Sequence, residues 1–334
     1  MENKTATKKN VLVTLADSNF IAQAKQLFAS VYFNSGWTGD YLLLAQGISA
    51  ADLAWFQEKG IIIFECALLS TQPIGVKEYP AIVLSKFYLF TEYFKQWERV
   101  VFLDADIIVR FSLDELLVAS GFSAPAATIR LSGEFAADNY PLFRELKRHY
   151  RLTGPAFNTG VFSFTTDLIT SETFSRLMAL FNKFGPLNVH GEEPTLNLFF
   201  YQNWHTLPVI YNSIPSHLAK FYRLDSRRLL AAALHFVNSV KPWKPESDYY
   251  QEWIANLERA EKIDLASRPP AQALPSKKLR TYLRYIRLVD FFLAVYRAVL
   301  FVDWQIGQAG LYLKYKNPEL YKLISLRKHV IRKY

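Results

Sequence analysis

The run Arg99-Val-Val-Phe-Leu-Asp104-Ala-Asp106 decides the fold. Residues 100–103 are too few and too uniformly apolar for an amphipathic helix, and they read as a strand buried on both faces. Two carboxylates follow it, spaced so that alternate side chains point to the same side. Upstream, short apolar runs alternate with longer helix-like stretches: strands over 11–15, 40–45 and 61–65, helices over 20–32 and 50–59. That βαβαβ order predicts an α/β domain. Pro80 suits the start of a helix over 81–94. Downstream the pattern predicts a strand over 160–165 and helices over 171–184 and 194–201.

The chain has 334 residues and a mass of 38.6 kDa, enough for one large α/β domain with an appendage. Apolar residues make up 51% and aromatics 16%, which excludes a disordered or collagen-like chain. A single cysteine, Cys66, forms no intramolecular bridge and no paired-thiol site, which favours a reducing compartment. The first apolar run is only five residues long, far short of a signal-peptide core, so a cytoplasmic location is expected.

Charge is unevenly distributed. From 275 to 334 thirteen Lys/Arg face Asp290, Asp303 and Glu319, a net of +10, which leaves 1–274 at −1. Prolines 242, 245, 269, 270 and 275 separate the two regions, giving a domain over 1–270 and a basic aromatic tail over 271–334. Within 277–300, Arg280, Arg284 and Arg287 recur at helical spacing beside a stripe of Ile286, Val289, Leu293, Tyr296 and Leu300. Such a basic amphipathic helix either packs its stripe on the body or lies on an anionic membrane, and the neighbouring aromatics suit the membrane. Asp290, Arg297 and Asp303 interrupt every stretch before the roughly 18 apolar residues that a span requires.

Neither a GxGxxG after the first strand nor a GxxxxGK[ST] occurs, which excludes the dinucleotide fingerprint and the P-loop. Phosphates must be held differently. Asp104 and Asp106 can share one cation, and oxygen ligands suit Mg²⁺ or Mn²⁺, which also grip a diphosphate. The plainer alternative is a turn with two solvated aspartates. A second cluster is His235-Phe-Val-Asn238-Ser-Val-Lys241-Pro-Trp243. Its imidazole can complete a metal site and its lysine can neutralise phosphate oxygens, although taken singly they read as a core histidine and a solvated charge.

Together these stretches resemble the family 8 glycosyltransferases, the group that includes glycogenin and bacterial lipopolysaccharide galactosyl- and glucosyltransferases. The resemblance covers about residues 10–250. It is carried in order by Val13-Thr-Leu-Ala16-Asp17-Ser-Asn19-Phe, Leu84-Ser-Lys86-Phe-Tyr-Leu-Phe, the 99–106 run, Phe157-Asn158-Thr-Gly160-Val-Phe, Gly191-Glu192-Glu193-Pro-Thr-Leu-Asn197 and the 235–243 segment. It implies a GT-A-type, Rossmann-like nucleotide-sugar domain, followed here by a mostly helical basic extension. The implied activity is retaining transfer of a hexosyl group from a UDP-sugar to a glycan or lipid-linked glycan, with an α-linked product.

By the same resemblance Asp104, Asp106 and His235 are the ligands of Mn²⁺ (or Mg²⁺). Ala16, Asp17 and Asn19 line the uridine pocket, and Lys86, Asn238 and Lys241 meet the donor and its diphosphate. Asn158, Glu192 and Glu193 stand beside the transferred sugar. Three positions depart from the family pattern: Glu192-Glu193 replaces Asp-Gln, Asn238 replaces glycine, and 151–157 lacks the acid that often precedes the FNxG motif. The carboxylate at Glu193 reads either as a group acting on the reacting carbon or as an acid at a helix N-terminus. Other readings of the chain are glycogenin-like self-glucosylation and a catalytically silent scaffold using its basic tail; no nucleic-acid motif is present. The expected setting is the cytoplasmic face of a membrane, bound peripherally through the tail.

Overall fold

The computed structural model describes residues 9–216, 231–237 and 240–267, with Leu288, Ile306, 309–310 and 312–321 of the C-terminal region. Asn238 and the basic stripe of 277–300 lie outside the described residues.

The βαβαβ expectation holds: β1 (Asn10–Asp17), α1 (Ile21–Asn34), β2 (Asp40–Gln46), α2 (Ala50–Glu58) and β3 (Ile62–Glu65) follow in order. The three strands pair in parallel, and β4 (Arg99–Leu103) joins the other edge of β1, also in parallel. β6 (Phe122–Arg130) and β8 (Val161–Thr165) extend the sheet antiparallel, with β7 (Pro155–Phe157) and β9 (His205–Leu207) on β6. The order β3-β2-β1-β4-β8-β6-β7 reverses direction of growth between β1 and β4. A ligand crevice opens at such a reversal, beyond the strands' carboxyl ends. Asp17 ends β1 and Asp104 follows β4, so both stand there.

β4 is buried along its whole length. Its alternate residues feed two cores: Val101 and Leu103 pack with α1 and α2, Val100 and Phe102 with the opposite layer. β1 divides the same way, with Leu12 on one side and Val11 and Val13 on the other. That two-sided burial explains why these strands are continuously apolar. The second core is aromatic. Phe162 stacks on Phe102 at 5.0 Å and on Phe122 at 5.4 Å, and Phe122 stacks on Phe200 at 4.0 Å.

The segment after Pro80 departs from expectation. Residues 81–94 do not form one α-helix; Ala81–Phe90 and Glu92–Gln96 are 3₁₀ helices separated by an extended Thr91, whose hydroxyl donates to Tyr88 O. A three-residue turn aligns i, i+3 and i+6. Leu84, Phe87 and Phe90 therefore form one fully buried line, and Val83, Lys86 and Leu89 form the next. An α-helix would splay those lines and swing Lys86 from the cleft.

After Asp106 the chain leaves the main sheet. β5 (Ile107–Val109) pairs antiparallel with β10 (Ala233–His235), setting His235 opposite Ile107. Helix α3 (Tyr140–His149), α4 (Thr173–Phe184) and α5 (Glu193–Phe199) cover the β6–β8 side, and α6 (Tyr250–Arg259) packs on α1. In the C-terminal region Tyr312 and Tyr315 lay their rings against Tyr140. Among the described residues no helix is long and apolar enough to cross a membrane.

Truncating Phe162 to alanine removes the ring shared by these stacks and should lower stability by about 3–5 kcal/mol, read as a drop in the denaturant midpoint at constant slope. A loss below ~1 kcal/mol would show that the aromatic layer collapses around the gap.

Candidate active site

A cleft of about 390 Å³ opens at the reversal point between β1 and β4. Its lining combines apolar side chains, Leu15, Ala16, Phe20, Pro80, Ile82 and Val83 among them, with Lys86, Asp104, Asp106, Asn158, Glu192, Glu193, His235 and Lys241. Asp17 lines it too, and its carboxylate accepts the Asn19 N–H at 2.9 Å. Asn19 itself is exposed and flanks the cleft. Among the residues singled out from sequence, all but Asn19 and the undescribed Asn238 converge on this one cleft.

Asp104 and Asp106 face His235 across the β5–β10 ribbon. His235 Nε2 lies 3.2 Å from Asp106 Oδ1 and 3.6 Å from Asp104 Oδ2. One donor atom from each of the three residues lies within 4.8 Å of the other two. Burial pushes the Asp106 carboxyl up, but His235 and Lys241 outweigh it and hold the group well below the usual carboxylate range. Lys241 Nζ sits 2.6 Å from Asp106 Oδ2 and also donates to Phe236 O.

A backbone amide fixes the histidine's polarity. Gly160 N–H donates to Asn158 Oδ1 at 3.0 Å, so that oxygen is the acceptor and Asn158 Nδ2 is the donor to Glu193 Oε2 at 2.7 Å. The Asn212 atom 2.7 Å from Asn158 Oδ1 is therefore Nδ2. Its oxygen then faces His235 Nδ1 at 2.7 Å, and Nδ1 is the donor. Nε2 is left turned toward the two carboxylates, the polarity a metal-ligating imidazole needs. Two carboxylates and one such nitrogen suit Mn²⁺ or Mg²⁺. Gly160 must lack a side chain, because a Cβ there would enter the His235 ring.

Lys86 crosses the floor. Its ammonium is 2.9 Å from Asp104 Oδ1 and 2.7 Å from Glu192 Oε1, and all three side chains are largely buried. Burial opposes the charge, yet the two carboxylates outweigh it and hold Lys86 protonated above the ordinary lysine range.

Glu192 and Glu193 begin α5, with Pro194 in its first turn. Glu193 does not cap its own helix: its Oε2 accepts from Asn158 Nδ2, from Thr159 N at 2.8 Å and from Thr159 Oγ1 at 3.3 Å. The geometry thus departs from a merely helix-terminal acid. Burial pushes the Glu193 carboxyl well up, and neighbouring Glu134 adds to it. Asn197 locks the loop from behind by bonding both Phe157 N and Phe157 O.

Sequence reasoning missed Thr159, Asn212, Glu134 and His190. His190 directly precedes the Gly191-Glu192-Glu193 run and was findable there. Asn212 and Glu134 sit far from any motif, and only the fold brings them in.

The sequence model of Glycosyl transferase family 8 matches residues 50–247, and the chain belongs to that family. Among curated proteins it is 29% identical over 174 residues to glycogenin-1 of Caenorhabditis elegans, covering 47% of this chain and 33% of that protein. It is 26% identical over 168 residues to the probable glycosyl transferase Gly of Streptococcus gordonii, covering 49% of this chain and 22% of the relative. The match therefore spans a third or less of either relative's length. Among solved structures it superposes on the galactosyltransferase LgtC in complex with donor and acceptor sugar analogues, with a TM-score of 0.56 at 18% identity over 78% of this chain and 97% of LgtC. The described fold is of the GT-A type.

Asn212→Ala removes the acceptor that orients His235 and should weaken Mn²⁺ binding about 10- to 100-fold with the fold retained, as titration calorimetry can measure. Unchanged affinity would remove Asn212 from the ligand's support.

Proposed function

We propose that the chain is a retaining glycosyltransferase that moves a hexosyl group from a UDP-sugar to a glycan or lipid-linked glycan, forming an α-linkage. The observation that carries this reading is one cleft lined both by apolar side chains at and just after the end of β1, Leu15, Ala16 and Phe20, and by the Asp104–Asp106–His235 group. A nucleoside diphosphate sugar calls for both kinds of lining, having a flat base, a dianionic linker and a polar sugar. Family membership and the LgtC complex with sugar analogues support the same assignment.

Asp104, Asp106 and His235 would hold Mn²⁺ or Mg²⁺, which supplies positive charge to a departing diphosphate. Ala16 and Asp17 bound the base end, with Asn19 beside them. Lys241, at the rim, offers a second positive charge to the phosphates as the glycosidic bond breaks. Lys86 acts from below, fixing Asp104 while neutralising Glu192. Asn158 and Glu193 face the sugar end, their hydrogen bonds already made before donor arrives. Fixed donors and acceptors of this kind need no reorganisation during the reaction.

The extension over 271–334, with its net positive charge, is the part we assign to an anionic membrane surface bearing the acceptor.

Asp106→Asn should lower both Mn²⁺-dependent UDP binding and turnover, the latter by about two orders of magnitude or more. Full activity in chelator, or an unaffected variant, would sink the metal assignment. Lys241→Ala should reduce kcat with UDP-sugar while shifting the melting temperature little, because the lysine is partly exposed and its ion pair is screened by solvent. Equal kinetics for the variant and the parent protein would deny the lysine its place at the diphosphate.

A further inference from the structure

Behind Glu193 lies a second group of titratable side chains that the donor chemistry above does not use. Glu134 comes from the 3₁₀ turn Leu131–Glu134 after β6 and its side chain is wholly inaccessible. Its Oε2 meets His190 Nδ1 at 3.0 Å. Its Oε1 is buried and receives no donor from any described residue. The Glu193 carboxyl is its acidic neighbour, and donor atoms of Glu134, His190 and Glu193 lie within 4.8 Å of one another. Two buried carboxylates this close repel unless a proton sits between them. Glu193 Oε2 is already committed as acceptor to Asn158 and Thr159, so the proton belongs to the side facing Glu134.

A cation is the poorer occupant. Lys77 Nζ stands 3.4 Å from His190 Nε2 and would repel it. The other charged neighbours are settled: Glu192 is neutralised by Lys86, and Tyr79 lies close enough to the three glutamates for their charges to push its phenol up, after burial. Burial itself opposes charge on the pair, pushing Glu134 up to about 8 and Glu193 upward as well. His190 is partly exposed, so the chain of contacts runs from solvent and Lys77 through the imidazole to Glu134 and then Glu193.

We propose that Glu134 is a positioning residue that shares a proton with Glu193, so that Glu193 meets the donor sugar as a neutral acid. When the shared proton is lost at higher pH the carboxyl pair becomes one charge more negative, while His190 Nδ1 goes on donating to Glu134 Oε2 because the Lys77 ammonium holds Nε2 as an acceptor. A protonated carboxyl is uncharged and a weak nucleophile, so Glu193 lines the sugar end without attacking the sugar.

The inference rests on the glycosyl-transfer reading, and an infrared titration of the protein without donor separates the two. Expected is a protonated-carboxyl carbonyl band at pH 7 that is lost reversibly as the pH rises beyond about 8. The band should weaken in both Glu134→Gln and Glu193→Gln. With UDP-sugar and Mn²⁺, the alkaline fall in kcat should shift down by about one pH unit in Glu134→Gln, since the variant lacks the like charge that keeps Glu193 protonated. It should vanish in Glu193→Gln, where nothing remains to ionise. No such band in the wild-type protein, or an alkaline limb identical in all three proteins, overturns the proposal. Failure of the wild type to bind UDP with Mn²⁺ while the band is present overturns the transfer reading and leaves the shared proton standing.

Discussion

The buried ammonium of Lys86 holds the site together. It joins Asp104, at the end of β4, to Glu192, at the start of α5, two elements 88 residues apart in the chain whose side chains both line the cleft. Each carboxylate alone would be a buried charge, and so would the lysine. Together they offset one another, and removing one member of such a group typically costs about 3–5 kcal/mol because the others stay buried without compensation. The 3₁₀ form of Ala81–Phe90 is part of the same arrangement: its three-residue repeat places Lys86 toward the cleft while Leu84, Phe87 and Phe90 stay in the aromatic core.

A second order is imposed by the backbone. The direction of every amide in the Asn158–Asn212–His235 chain follows from one N–H, that of Gly160, which can only donate. The same glycine leaves room for the imidazole. A loop between β7 and β8 thus governs a histidine more than seventy residues away in sequence, and it does so because Val161 pairs with Leu103 and brings the loop beside Asp104.

The sequence disclosed much of this because its strongest signals are local. Apolar runs bounded by polar residues marked β1 to β4, whereas the reversal between β1 and β4 shows only in the pairing of the strands. The cleft residues were legible where short motifs carried them: Asp17, Asp104, Asp106, Asn158, His235 and Lys241 each sit in a recognisable string. The 3₁₀ geometry was not legible, since Pro80 followed by apolar residues signals a helix start without its pitch. Nor were Asn212 and Glu134, each one polar residue in an unremarkable stretch, given a role by anything shorter than the sheet that gathers them. Lys86 was visible as a basic residue on an apolar segment, but its two partners come from positions 104 and 192, which no periodicity connects.

The two ends of the cleft treat acidic groups in opposite ways, and the supply of positive charge explains the division. At the end where the proposed diphosphate would lie, Asp104 and Asp106 are met by Lys86 and Lys241 and stay ionised and available to a cation, with the His235 Nε2 lone pair beside them. At the proposed sugar end Glu134, Glu192 and Glu193 crowd behind Asn158, and the one deeply buried cation nearby among the described residues, Lys86, is already shared between Glu192 and Asp104. Lys77 reaches only the outer face of His190. Glu134 and Glu193 therefore lack a counter-charge at the depth where they lie, and a buried carboxyl without one keeps its proton. On the proposed reading, positive charge is concentrated where the diphosphate would depart, and neutrality is kept where the sugar carbon would be approached by its acceptor and not by the protein.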